Sequence, residues 1–199
     1  MSEMEYPKFS VLMSLYLKEK PEYLNEALKS VINQTVKPNE IVIVYDGPIT
    51  TELKSVVEQY VSNNPGLIKI IDNPENKGLG LALADGVPQC TYELIARMDT
   101  DDICRKDRFE KQLEEFVKDP RLDICGSHIL EFEEKEENIV ARRRVPLVDK
   151  DIKEYQKRRD GFNHMSVMFK KKSVLAAGNY QSCLLMEDTL LWANMFMNG

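Results

Sequence analysis

Four short apolar runs, each followed by a stretch with helical spacing, restrict what this chain can build. Phe9–Ser14 (FSVLMS), Ile41–Val44, Ile68–Ile71 and the run Leu94–Ala96 after Tyr92 are all of strand length. Ile41–Val44 is an unbroken β-branched run, the pattern of a strand buried on both faces. Between the runs lie helical stripes. Pro21 suits a first helical turn, and Tyr23, Leu24, Ala27, Leu28, Val31 and Ile32 recur at helical spacing after it. Thr51 to about Asn63 carries Leu53, Val56, Val57, Tyr60 and Val61 on one face. Leu79, Leu81, Ala82 and Leu83 begin a short third helix, and a fourth from about Asp107 carries Phe109, Leu113, Phe116 and Val117. Strand and helix in alternation predict an α/β fold: a mainly parallel central sheet with helices on both faces. Right-handed crossovers then bring the loops after all four strands to one edge of the sheet. Asp46, Asp72 and the Asp99 cluster lie in those loops and are expected on one rim.

The second half reads differently. Leu122–Phe132 is strand-like, Glu133–Asn138 is charged enough to be an exposed hairpin tip, and Val140–Val145 is a returning strand, a small antiparallel addition. A charged helix is expected from about Asp149 to Arg159, a strand over His164–Phe169, a short helix over Ser173–Ala177 ended by Gly178, and a last helix from Glu187 to Gly199. With no repeat and no linker-like stretch, residues 1–199 are expected to form a single domain. The net charge of -6 argues against a nucleic-acid partner, where a basic footprint is needed. No stretch approaches the ~18 apolar residues of a membrane span. The four cysteines have neither metal-ligand spacing nor a disulfide framework, and acidic residues stand where a signal peptide would be basic. A cytoplasmic setting follows as the expectation, with peripheral membrane attachment left open.

The chemistry concentrates after the fourth run, where Asp99, Asp101 and Asp102 follow Leu94–Ala96 directly. Three carboxylates this close repel one another unless a cation or a set of donors holds them. At the carboxyl end of a buried strand a divalent metal such as Mg²⁺ or Mn²⁺ is the economical partner. An acidic turn capping the next helix is the alternative. Asn76-Lys77-Gly78-Leu79-Gly80 is a glycine-permitted turn into a helix start that can lie against a phosphate or sugar. It is no dinucleotide fingerprint, because Leu83 stands where the third glycine belongs, and Gly-Lys-Ser/Thr is absent. A phosphatase reading of Asp99-Thr100-Asp101 fails at Ile103, where such enzymes carry Thr or Val. Glu187-Asp188 either satisfies a helix N-terminus or supplies a base for a hydroxyl proton. His164 either touches ligand or is a hydrogen-bonded structural residue. Arg142–Arg144 meet phosphates or form a solvated face, and Trp192 stacks on a sugar or packs in the core.

In order along the chain, FSVLMSLY, VYDGP, NKGLGLAL, RMDTDD and MEDTLLW resemble the bacterial family-two glycosyltransferases, in particular the branch that builds amylovoran-like exopolysaccharides. The resemblance covers nearly the whole chain, and RMDTDD paired with EDxxLW is its most specific part. It implies the GT-A fold, with residues 1–120 as the nucleotide-binding half and 121–199 as the half holding acceptor and catalytic base. It implies that Asp46 and Asp72 meet the nucleotide base or ribose, with Lys77 and His164 also on the donor side. Asp99 would reach ribose or donor sugar, Asp101 would ligate Mg²⁺ or Mn²⁺ at the diphosphate with Asp102 as alternate ligand, and Asp188 would be the general base. The implied partners are a nucleotide-sugar donor, UDP-linked, and a glycan or lipid-linked saccharide acceptor. The implied reaction is inverting. The single Asp of Tyr45-Asp46-Gly47-Pro48 departs from the commoner DDGS turn, and relatives continue past the EDxxLW helix, so the chain is expected to be a catalytic core. A sugar nucleotidyltransferase would want a glycine-rich, arginine-containing loop where Leu15-Tyr16-Leu17-Lys18 stands. A non-catalytic nucleotide-sugar binding module would have no need of Asp188.

Overall fold

The computed structural model describes residues 5–198. Its first half alternates as the sequence predicts: β1 (Phe9–Leu15), α1 (Pro21–Ile32), β2 (Glu40–Tyr45), α2 (Thr51–Asn63), β3 (Ile68–Asp72), α3 (Leu79–Gln89), β4 (Leu94–Arg97) and α4 (Arg108–Lys118). The second half adds β5 (Ile124–Cys125), β6 (Ile129–Phe132), β7 (Ile139–Arg143), α5 (Asp149–Gln156), a 3₁₀ turn (His164–Ser166), β8 (Met168–Lys170), α6 (Lys171–Ala176) and α7 (Glu187–Met197). The main sheet runs β3-β2-β1-β4-β8-β5, and β6-β7 form a separate antiparallel hairpin. β1, β2, β3 and β4 pair parallel, whereas β8 runs antiparallel to both β4 and β5.

Period-two alternation decides which helices each strand meets. Val11, Met13 and Leu15 of β1 pack with Ile41 and Ile43 against α1, α2 and α4, through Leu24, Leu28, Leu53 and Phe109. Leu12, Val42 and Val44 point the other way, into a second core with Leu83, Phe169, Leu191 and Trp192. The sheet is therefore covered on both faces, which is what lets β2 be apolar without a break. β1 and β4 adjoin at the point where strand order reverses, the crevice in which open α/β sheets hold ligands.

Several expectations need correction. Tyr23 and Val117, placed on buried stripes, are largely exposed, because each lies at the margin of its helix's apolar face. Leu122–Phe132 is not one strand: Gly126–His128 breaks it, so β5 closes the main sheet while β6 leaves for the hairpin. The strand expected over His164–Phe169 begins only at Met168, since Ser166 Oγ donates back to the Asn163 carbonyl (2.8 Å) and holds a 3₁₀ turn. α5 ends at Gln156, short of Arg159, and the expected helix end at Gly199 lies outside the described residues.

The loop joining β4 to α4 is pinned from α1. Asp107 offers no side-chain cap to α4. Instead the buried Gln34 accepts from the Phe109 N–H (3.3 Å) and donates to the carbonyls of Arg105 (2.8 Å) and Ser30 (3.0 Å). One distant amide thus does the work of a helix cap and a loop clamp. Gln34→Ala should lower stability by about 1–3 kcal/mol, the cost of leaving such buried groups unpaired, read as a fall in the urea midpoint.

Candidate active site

β4 ends in Arg97-Met98-Asp99-Thr100-Asp101-Asp102. Carboxylate oxygens of Asp99, Asp101 and Asp102 all lie within 4.8 Å of one another. Arg97 is fully buried beneath them, and its Nη1 lies 2.5 Å from Asp99 Oδ2. Removing a guanidinium from water is costly unless an anion accompanies it, so Arg97 and Asp99 require one another. Arg97 Nε has no hydrogen-bond partner among the described residues, and neither has the buried Asp102 Oδ2. Arg108, from the first turn of α4, donates through Nη2 to the Arg97 carbonyl (2.8 Å) and the Val167 carbonyl (3.1 Å), tying β4 to the segment entering β8. Thr100 Oγ1 donates to Glu19 Oε2 (2.7 Å), which joins the cluster to the loop after β1 across the crevice.

The charges reveal their crowding. Burial, then the carboxylates of Asp99 and Asp101, push Asp102 up to about 6. Asp101 is raised as well, by burial and by Asp99 and Glu19. Three carboxylate oxygens this close, one of them buried and unpartnered on Asp102, fit a hard divalent cation such as Mg²⁺ or Mn²⁺. The helix-cap alternative does not hold at α4, which begins at Arg108 after Asp107 and has no side-chain cap.

Asp46, at the end of β2, is buried and accepts from the N–H groups of Lys77 (Oδ1, 2.7 Å) and Gly78 (Oδ2, 3.0 Å). It fixes the turn entering α3. Gly47 sits at φ +82°, and a Cβ there would lie 2.6 Å from the Asn76 nitrogen, so the turn and the loop can approach only through glycine. Lys77 Nζ pairs with Asp85 Oδ2 (3.1 Å) at the surface. Asp72 is exposed at the end of β3, in register with Tyr45, whose hydroxyl burial and the Asp72 charge push up to about 12.

Asp188 lies in the first turn of α7, where its Oδ1 accepts from the Thr189 N–H (2.8 Å). Burial, with added repulsion from Asp160 and Glu187, raises its affinity for a proton. Thr189 Oγ1 in turn bonds Asp160 Oδ1. A Cβ on Gly80 would sit 2.7 Å from the Gln181 carbonyl oxygen and 2.9 Å from Glu187 Cβ, so the start of α3 rests directly on the start of α7. The hydroxyl of the buried Tyr180 is driven upward by burial, eased by Arg97, and raised again by the charges of Asp188, Asp99 and Glu187.

His164 bonds Tyr180 Oη through Nε2 (2.9 Å), and burial together with Arg97 keeps its pKa well below the usual histidine range. It is the neutral partner of Tyr180. Trp192 is fully buried edge-on to Phe162 (5.6 Å) and takes the core alternative, not the sugar-stacking one. Arg97, Arg108, Glu19, Asp160 and Tyr180 were not singled out from the sequence. Arg97 carried the one available signal, a cation inside a run of otherwise apolar strand residues.

A mainly parallel sheet of this order, with carboxylates at the ends of β2, β3 and β4, has the layout of α/β folds that hold nucleotides where strand order reverses. The sequence profile described as Glycosyl transferase family 2 matches residues 10–174, and the chain belongs to that family of glycosyltransferases. It is 43% identical over 191 residues to the amylovoran biosynthesis glycosyltransferase AmsE of Erwinia amylovora, covering 96% of this chain and 70% of that protein. It is 40% identical over 196 residues to an Escherichia coli UDP-Gal:alpha-D-GlcNAc-diphosphoundecaprenol beta-1,3-galactosyltransferase, covering 97% and 69%. Among solved structures it superposes on the mannosyltransferase PcManGT of Pyrobaculum calidifontis, in complex with GDP-Man and Mn²⁺, with a TM-score of 0.72 at 16% identity. S. aureus TarS gives 0.71 at 20% identity. The chain spans 53% and 34% of those two structures, and the likeness establishes the GT-A fold. No described helix is long and apolar enough to cross a membrane.

Two measurements test this geometry. Because the pKa of Asp102 is raised in the folded state, the metal-free protein should be favoured below the ordinary carboxylate range and lose stability as pH rises through about 6. Mn²⁺, which needs the ionised form, should raise the melting temperature more at pH 7 than at pH 5. Gly80→Ala should destabilise by about 1–3 kcal/mol through overpacking against α7, although alanine is the better helix former; chemical denaturation reads the sign.

Proposed function

We propose that the chain is a metal-dependent, inverting glycosyltransferase that moves a sugar from a UDP-linked donor to a glycan or lipid-linked acceptor in surface-polysaccharide assembly. The observation that carries this reading is the convergence of Asp99, Asp101 and Asp102 within 4.8 Å at the strand-order reversal. UDP is favoured by the E. coli relative, whose name specifies UDP-Gal and which shares far more sequence than the GDP-Man-bound structure.

Asp101 and Asp102 would hold Mg²⁺ or Mn²⁺, which when bound offsets charge on the departing diphosphate. Asp99, oriented by Arg97, accepts from a ribose or sugar hydroxyl. Asp46 shapes the Lys77–Gly80 turn on the donor side while Asp72 and Lys77 lie toward the nucleotide, and His164 supports the site through Tyr180. Asp188, its proton affinity raised by burial, takes the proton of the acceptor hydroxyl. The freed oxygen forms its bond to the anomeric carbon as the bond to the diphosphate oxygen breaks, and that electron pair leaves with the nucleotide. One displacement inverts the centre. We place the reaction on the cytoplasmic side, with peripheral contact to the membrane face where the acceptor is lipid-linked, and take residues 1–199 as one catalytic unit.

Calorimetry of UDP with Mn²⁺ separates the roles. Asp101→Ala should abolish metal-dependent binding. Asp188→Asn should retain it while slowing transfer about 10²–10⁴-fold, the usual worth of a general base. Equal UDP binding with and without Mn²⁺ by the wild type would sink the metal-dependent reading.

A further inference from the structure

β7 borders two recesses that share Glu131, Arg142 and Arg143. One is the broad cleft reached by Asp101 and Asp102; the other is a cavity of about 430 Å³ also lined by Arg144, Tyr155, Arg159 and Asp160. Four arginines line the smaller recess in a chain whose net charge is -6. Some surface cations hold an acid, as Lys111 does Asp107, Lys153 does Asp149 and Lys157 does Glu154. Here only Arg143 has one, Asp160 at 4.0 Å, and no described carboxylate lies within 4.0 Å of Arg142, Arg144 or Arg159. Like charges held together this way repel until an anion enters. Asp160 also makes the recess continuous with the candidate base, since it bonds Thr189, the neighbour of Asp188.

We propose that this recess seats the diphosphate of the acceptor, a saccharide linked through diphosphate to a lipid. The proposal rests on the sugar-transfer reading above and names the acceptor class for it. Four arginines against two acids leave an excess of two positive charges, which matches the two negative charges of a doubly esterified diphosphate. Guanidinium forks suit phosphate oxygens in pairs, which a solvated lysine patch would not. The position fits the chemistry as well. An acceptor anchored here by its diphosphate extends its sugar toward Asp188, leaving Asp101 and Asp102 to the donor in the broad cleft.

The test measures binding of three probes with the donor site filled by saturating UDP and Mn²⁺. They are N-acetylglucosaminyl diphosphate esterified to a short alkyl chain, the same sugar as a neutral alkyl glycoside, and inorganic pyrophosphate. The variant is Arg144→Ala/Arg159→Ala, two exposed arginines without acidic partners that line only the smaller recess. The sugar diphosphate should bind the wild type and bind the variant at least roughly tenfold more weakly, the scale of lost charge-assisted bonds. UDP binding to the variant should match wild type, and added salt should weaken the sugar diphosphate but not the neutral glycoside. Equal binding of the neutral glycoside, pyrophosphate binding as tightly as the sugar diphosphate, or loss of UDP affinity in the variant would each overturn the assignment. Failure of wild type to bind UDP and Mn²⁺ would instead strike the donor reading, while arginine-dependent binding measured without nucleotide would still decide this one.

Discussion

The structure depends on holding mutually repelling carboxylates at the end of β4. Asp99 tolerates the proximity because Arg97 lies buried beneath it, and Arg97 tolerates burial because Asp99 lies above it. That reciprocity fixes where the acidic loop leaves the sheet. Arg108 then holds the Arg97 carbonyl, Gln34 clamps the far end of the loop, and Thr100 ties its middle to Glu19. Asp101 and Asp102 remain without a cation of their own, and burial first, then the neighbouring carboxylates, raises their proton affinity. The fold stores that unfavourable term where a cation can release it.

A second acidic centre is assembled by packing and not by charge. Asp188 belongs to α7, more than eighty residues further along the chain, yet Gly80 lets α3 rest on α7 without a gap. Asp46 fixes the turn from which α3 starts. Asp188 and the acidic loop are thus referenced to the same sheet by separate routes.

The alternation of apolar runs and helical stripes was enough to read the parallel half, because each β-branched run and each stripe is a local signal. Asp99, Asp101, Asp102 and Asp188 were legible for a similar reason: their motifs are contiguous. What escaped were partners made by tertiary contact. Nothing local says that Gln34 caps α4, that Glu19 reaches Thr100, or that Asp160 meets Thr189. Tyr23 and Val117 were misplaced because helical spacing gives the centre of an apolar face better than its margins. β8 was misjudged at its start because the side chain of Ser166 diverts the backbone into a turn, a choice that hydrophobic pattern does not record.

The antiparallel placement of β8 has a consequence for how the site comes into being. β4 is an inner strand only because β8 covers its outer edge, and the Arg97 N–H finds its acceptor at the Val167 carbonyl (2.9 Å). Until that segment docks, the strand bearing the acidic loop is an open edge, and Arg108 lacks one of the two carbonyls it bridges. During synthesis the first four strands can pair as they emerge, but the carboxylates stay loosely placed until about residue 170 has been made. The acidic loop is thereby set by the docking of β8, ahead of the helix that carries Asp188.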